Sequence, residues 1–224
     1  MISQMNWFSI MMHFSDSSLP VGSYAHSFGL EGMCQLGVVR DEESLSQFMN
    51  RDVLSGLKSV DLPIALRAYD AVKANDTEKL MHWDQMIDAM RPTAQLKLAS
   101  RKTGKQMWRL YEKTWRSEHV AREFRYFHVP VVLGTLFAEV GAPEEAVMQV
   151  LVYQTYSALV QAALKLLPVG PTSMQVVLKD CVSIAEQAIA EVRFVDDDEL
   201  GSFNPLWDIA ASRHERAGAR LFIS

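Results

Sequence analysis

The sequence predicts an all-α fold, a single-domain helical bundle of about ten helices. Three observations predict it. Apolar residues recur at three- and four-residue spacing along most of the chain. Cap residues, prolines and glycines punctuate these runs at helix-length intervals. No segment shows the two-residue alternation of a half-buried strand, and neither an internal repeat nor a low-complexity tract is present.

The elements follow in order. Residues 15–31 read as a loop entering a helix, with Pro20 stiffening the approach, Gly22 permitting an unusual φ and Ser23 available as a cap. Tyr24, Ser27 and Phe28 then share one face. Gly29 would stand inside that helix at a cost of about 0.5–1 kcal/mol relative to Ala, which close approach of another helix or chain would offset. Asp41 caps a helix with Leu45, Phe48, Met49, Val53 and Leu57 on one face. Asp61 is expected to cap the next, with Pro63 in its first turn. Asp76 or Thr77 starts another, with Leu80, Trp83, Ile87 and Met90 in register. Thr93 opens a long helix toward Trp115 whose inner stripe reads Leu96, Ala99, Thr103, Met107, Leu110 and Thr114. Pro143, followed by Glu144 and Glu145, begins a helix that runs to about Leu167, with its acids at the positive dipole end. Thr172 or Ser173 begins the next, ending near Arg193, and a short last helix spans Leu206 to about Ala217.

Composition narrows the function. With 224 residues, 49% of them hydrophobic, one large domain over residues 1–224 buries enough surface to need no disulfide or metal. The net charge of −5 argues against general nucleic-acid binding. Cys34 and Cys181 are far apart and form no CxxC pair, which fits a reducing, cytoplasmic setting. The apolar N-terminus lacks a basic region and a small-residue cleavage site, so it is not read as a signal peptide. The most apolar stretch, Val129 to Val140, is interrupted by Pro130 and Gly134, and no membrane span is expected. Lys97, Arg101, Lys105, Arg109 and Lys113 step by four along one helix. Such a row is either a solvated outer face or an electrostatic docking face for an acidic partner.

Catalytic and metal chemistry find little footing. The GxSxG, GxxxxGK[ST] and GxGxxG motifs are absent. The six histidines include no i, i+4 pair and no HExxH, so neither catalytic residues nor a metal or cofactor site is assigned. His214 beside Glu215 reads more simply as an exposed or tail-ordering pair than as an acid–base pair.

Two strings carry more. One is Leu-Pro-Val-Gly-Ser-Tyr-Ala-His-Ser-Phe-Gly-Leu-Glu, residues 19–31. The other is Asn-Pro-Leu-Trp-Asp-Ile-Ala-Ala-Ser-Arg-His-Glu, residues 204–215, followed by Arg-Leu-Phe-Ile-Ser at 220–224. Both, in this order and spacing, resemble the two ends of UreF proteins, with weaker matches at Asp61-Leu62-Pro63, Arg91-Pro92-Thr93 and Gly104. One departure stands at Pro168-Val169-Gly170-Pro171-Thr172-Ser173-Met174-Gln175, where the family usually carries Pro-Leu-Gly-Gln-Thr-Asp-Gly-Gln. No role of that loop is carried over to Pro171 or Met174.

The resemblance implies a non-enzymatic urease maturation adaptor, all-helical and homodimeric. It implies binding to the accessory protein UreD (UreH), recruitment and regulation of the GTPase UreG, and help with nickel insertion into apo-urease. It implies partner-binding roles for Tyr24, His26, Ser27, Glu31, His214, Glu215, Arg220, Leu221 and Phe222, and a C-terminal tail, 196–224, ordered by a partner. The competing readings are an all-α metal-binding protein or metallochaperone, and a helical bundle that holds a small apolar ligand.

Overall fold

The computed structural model describes residues 6–16, 18–21, 27, 29–91, 93–116, 122–202, 204–207, 209–210 and 222. Among these residues every regular element is helical, in the order α1 (Asn6–Ser15), α2 (Leu30–Gln35), α3 (Glu42–Phe48), α4 (Leu54–Gly56), α5 (Leu62–Lys73), α6 (Thr77–Met90), α7 (Ala94–Thr114), α8 (Val129–Glu139), α9 (Glu144–Leu166) and α10 (Pro171–Val192). A turn of 3-10 helix covers Asp197–Glu199, and residues 205–207 and 209–210 are helical.

The apolar stretch that came nearest to a membrane span is α8, and Pro130 through Ala138 are all buried. It packs against α5, α7 and α9 at the centre of the bundle. No helix among the described residues is long and apolar enough to cross a membrane. The α5–α8 crossing is close because α8 offers Gly134 there: a Cβ at that position would lie 2.2 Å from the Ala65 carbonyl oxygen. Outside this pair, α9 packs on α10 and α5 on α6.

Helices α3, α4 and α5 form one continuous helical run, joined by π-helical turns at Met49–Val53 and Leu57–Asp61. This corrects the reading of Asp61 as a cap. Asp61 has helical dihedrals and its side chain caps nothing. Its carboxylate instead takes an ion pair from Arg91 across the bundle. Pro63 cannot donate to the carbonyl of Ser59, four residues back. That carbonyl accepts from Gly201 N–H at 3.1 Å, so the C-terminal connector satisfies the group that proline frees. The other π turn is tied similarly, since the buried Tyr156 hydroxyl of α9 donates to the Met49 carbonyl at 3.1 Å.

The expected local caps at Asp41, Asp76 and Thr93 accept from Ser44, Lys79 and Leu96 amides at 2.9, 3.0 and 3.2 Å. The buried stripe of α7 is rotated from the expected one: Ala99, Thr103, Gly104, Met107, Trp108 and Tyr111 face inward, while Leu96 and Leu110 are half-buried and Thr114 is exposed. The rotation follows from α7 packing on α8 and on the loop before it.

That loop, residues 122–128, is held by buried carboxylates of α6. Asp84, wholly buried, accepts the backbone N–H groups of Tyr126, Phe127 and His128 at 2.6, 3.2 and 3.1 Å. Ser100 Oγ accepts from Val129 N–H at 3.2 Å and lies 3.0 Å from His128 Nδ1. The Asp88 carboxylate can only accept, so Nε2 donates to its Oδ1 at 2.9 Å, and in the neutral ring Nδ1 accepts from Ser100. Burial, with Arg91 adding, lowers the His128 pKa below its ordinary 6.5 against the opposing pull of Asp88 and Asp84. Asp88 is also held low: burial opposes ionisation, but hydrogen bonds from Arg101 and His128 outweigh it. Both folded-state values lie below the unfolded ones, so the unfolded chain takes up these protons first. Stability should be full above His128's ordinary 6.5 and fall as pH drops below it, with Asp88 extending the loss below its ordinary 3.8. Urea midpoints should drop between about pH 7.5 and about pH 5, and the drop should shrink in His128→Asn, which lacks the titrating ring.

Candidate partner-docking site

Helix α2 begins at Leu30, and Gly29 is its N-cap, with φ 82° in the left-handed region; Ser23, expected as a cap, lies outside the described residues. Gly29 thus serves a turn that L-residues rarely adopt, not a helix interior. Ser27, fully buried, offers its Oγ to Glu31 N–H at 3.5 Å and its carbonyl to Leu30 N–H at 3.0 Å. This short helix carries Glu31 into the protein with only 4% of its surface exposed. A buried carboxylate needs donors. One comes from the far end of the chain: Phe222 N–H donates to Glu31 Oε2 at 3.1 Å.

A second contact joins the same two regions. A Cβ at Gly32 would lie 2.5 Å from the Ala210 carbonyl oxygen, so α2 and the C-terminal segment meet backbone to backbone. Ala210 is wholly buried and Phe222 nearly so. The Phe222 ring lies 5.2 Å from Lys165 Nζ of α9, a cation–π contact. The approach to this region is pinned along the bundle. Arg67 pairs with Asp197 at 3.1 Å, Asn204 donates to Asp52 at 2.8 Å, and Trp207 stacks edge-on with Phe48 at 5.6 Å.

Of the nine residues named as partner-binding, the structure therefore brings together Glu31 and Phe222, with Ser27 beneath them. Tyr24, His26, His214, Glu215, Arg220 and Leu221 lie outside the described residues.

The UreF family model matches residues 39–182. The chain belongs to the UreF family. Its relatives named urease accessory protein UreF include one from Pseudomonas putida (strain W619), 30% identical with 96% of each chain covered. Another, from Bacillus sp. (strain TB-90), is 26% identical over 98% of this chain and 100% of the relative. A third, from Nostoc sp. (strain PCC 7120 / SAG 25.82 / UTEX 2576), is 26% identical over 96% of this chain and 94% of its own. The UreF match covers α3 to about the middle of α10, and the Glu31–Phe222 joint stands outside it at both ends.

Next to the joint, a cavity of about 120 Å³ is lined by Val21, Thr155, Gln161, Lys165 and Phe222 among others. That is below the roughly 300–1,000 Å³ of typical small-molecule pockets. A larger apolar groove of about 520 Å³ lies between α1, α9 and α10, lined by Met11, Met12, Tyr153 and Ile189. Met12 and Tyr153 are exposed there. Cys34 stands near Glu31; burial, with the Glu31 charge adding, pushes its thiol up to about 11, so it is a poor nucleophile at neutral pH. Among the described residues no three His, Cys, Asp or Glu side chains converge as metal ligands.

Sequence reasoning missed the Gly32–Ala210 approach and the Asp84–Asp88–His128 network. The network had a signal: Asp84 and Asp88 fall on the same face of α6 as Leu80, Trp83 and Ile87, which places two carboxylates among core residues. The backbone approach had half of one: Gly32 stands inside a helix, but nothing marked Ala210 as the group that meets it.

Proposed function

We propose that this UreF-family chain is a urease accessory protein that works by binding other proteins and catalyses no reaction itself. It binds UreD (UreH), recruits and regulates the GTPase UreG, and thereby assists delivery of nickel, the cargo, to apo-urease. It acts in the cytoplasm and as a homodimer. Its docking surface is formed by Tyr24, His26, Ser27 and Glu31 with His214, Glu215, Arg220, Leu221 and Phe222.

The observation that carries the reading is the Phe222–Glu31 hydrogen bond, which joins the two strings that resemble the ends of UreF proteins. Ordering a chain end costs about 1–2 kcal/mol per residue in backbone entropy. The Phe222–Glu31 bond offsets about 1.5–3 kcal/mol of that cost, and the burial of Ala210 and Phe222 offsets more. A partner that covers the joint would hold it further. The exposed apolar groove beside α1 also supports a protein-binding role.

Co-expression with UreD and UreG tests the proposal. The native chain should co-purify with both. Glu31→Ala and Arg220→Ala should keep native helicity by circular dichroism yet lower UreG recovery roughly tenfold or more. Undiminished UreG recovery with both variants, or urease activation in cells that is indifferent to them, would sink the proposal.

A further inference from the structure

Helix α7 carries six basic residues, Lys97, Arg101, Lys102, Lys105, Arg109 and Lys113, and one acidic residue, Glu112. The structure divides the cations into two groups. Lys97 and Arg101 turn inward to Asp88, at 4.0 Å for Lys97. Lys102, Lys105, Arg109 and Lys113 are exposed and make no ion pair among the described residues. Glu112 is engaged by Arg116 at 3.0 Å.

The four outward cations lie at spacings of three, four and four, which places them on one stripe. Leu98, four residues before Lys102, extends the stripe and is 50% exposed. Like charges one turn apart repel and weaken a helix. The helix also lacks an acidic residue in its first turn to meet its dipole. A face selected only for solvation would intersperse glutamates, and a chain with net charge −5 has them to spare.

The stripe is also rigid. The loop of residues 122–128 is pressed onto α7 so closely that a Cβ at Gly104 would lie 1.9 Å from the Phe127 carbonyl oxygen. Phe127 holds φ 64°, a strained value for a bulky residue, and the Asp84 carboxylate fixes it there. Lys105 lies 5.7 Å over the Phe127 ring, and exposed Arg125 lies 5.6 Å over Tyr126. Little backbone order remains to be imposed on binding, and the cost left is the rotamer freedom of the basic side chains.

We propose that the outer face of α7 docks an acidic helix of a partner protein. From Leu98 to Lys113 the stripe runs about 22 Å. Cations one turn apart match carboxylates one turn apart on a facing helix, and Leu98 supplies an apolar contact at one end. Nucleic acid fits less well, because the overall charge is negative. An anionic membrane fits less well too, since one leucine is too small an apolar anchor. This surface is separate from the Glu31–Phe222 joint, so its test does not depend on the adaptor reading.

The probe is a labelled acidic helical peptide of about 20 residues with glutamates at i, i+4, titrated with the full chain by fluorescence anisotropy. Binding should weaken roughly tenfold or more between about 50 and about 300 mM salt. It should weaken by a similar factor in the triple variant Lys102→Glu, Lys105→Glu, Arg109→Glu, and in the neutral Lys102→Gln, Lys105→Gln, Arg109→Gln, which disturbs folding least. Reversal of a cation elsewhere, Lys73→Glu, should leave affinity unchanged. Equal affinity for a peptide with its glutamates scattered round the helix would overturn the proposal. So would tighter binding of a single-stranded oligonucleotide or a phosphatidylserine vesicle, or unaltered affinity in the well-folded neutral triple variant.

Discussion

Asp84→Ala should be the most damaging single polar substitution among the described residues, destabilising the chain by about 4 kcal/mol or more. Three backbone N–H groups, those of Tyr126 and Phe127 half-buried and that of His128 buried, share this one carboxylate. Each amide left without an acceptor costs about 1–3 kcal/mol. The loop cannot easily relax to meet water, because Phe127 stands at φ 64° against α7 and His128 is fully buried between Ser100 and Asp88. Asp84→Asn retains one carbonyl oxygen but turns an NH2 toward a donor, so it should recover only part of the loss. Urea denaturation followed by circular dichroism measures both. A cost below about 1 kcal/mol for the alanine variant would mean that water or another group replaces the carboxylate.

The comparison of sequence and structure sorts by range. Caps at Asp41, Asp76 and Thr93 were legible because donor and acceptor stand three residues apart. Asp61-Leu62-Pro63 carries the same local signature, yet it lies inside a continuous helix. What decides the matter is Gly201 N–H, which covers the Ser59 carbonyl, and nothing near residue 61 announces that donor. The outward row on α7 was partly legible: the four-residue period was visible, but Asp88, not the period, turns Lys97 and Arg101 inward. At the candidate site, the resemblance named Glu31 and Phe222, whereas periodicity alone assigned neither. Their hydrogen bond uses a backbone amide 191 positions away from the carboxylate, a pairing that side-chain chemistry does not encode.

Gly134→Ala should cost about 3 kcal/mol or more, at the upper end of what overpacking normally does. The added methyl would lie 2.2 Å from the Ala65 carbonyl oxygen and 3.1 Å from the Ala68 Cβ. The nearer obstacle is backbone, so no rotamer change relieves it, and α5 and α8 must move apart. These two helices share the most extensive helix–helix contact in the bundle, so the separation spreads to residues that α8 buries against α7 and α9. Ala68→Gly in the same chain removes the Cβ clash but leaves the Ala65 oxygen in place, and should rescue only a minor part. Gly170→Ala provides the contrast. Its new methyl meets nothing nearer than Ser173 Oγ at 3.6 Å, so its effect should stay within about 0.5 kcal/mol. If thermal denaturation found the Gly134 and Gly170 variants equally stable, the α5–α8 crossing could not be the tight centre on which the remaining helices, and with them the α2–Phe222 joint, are built.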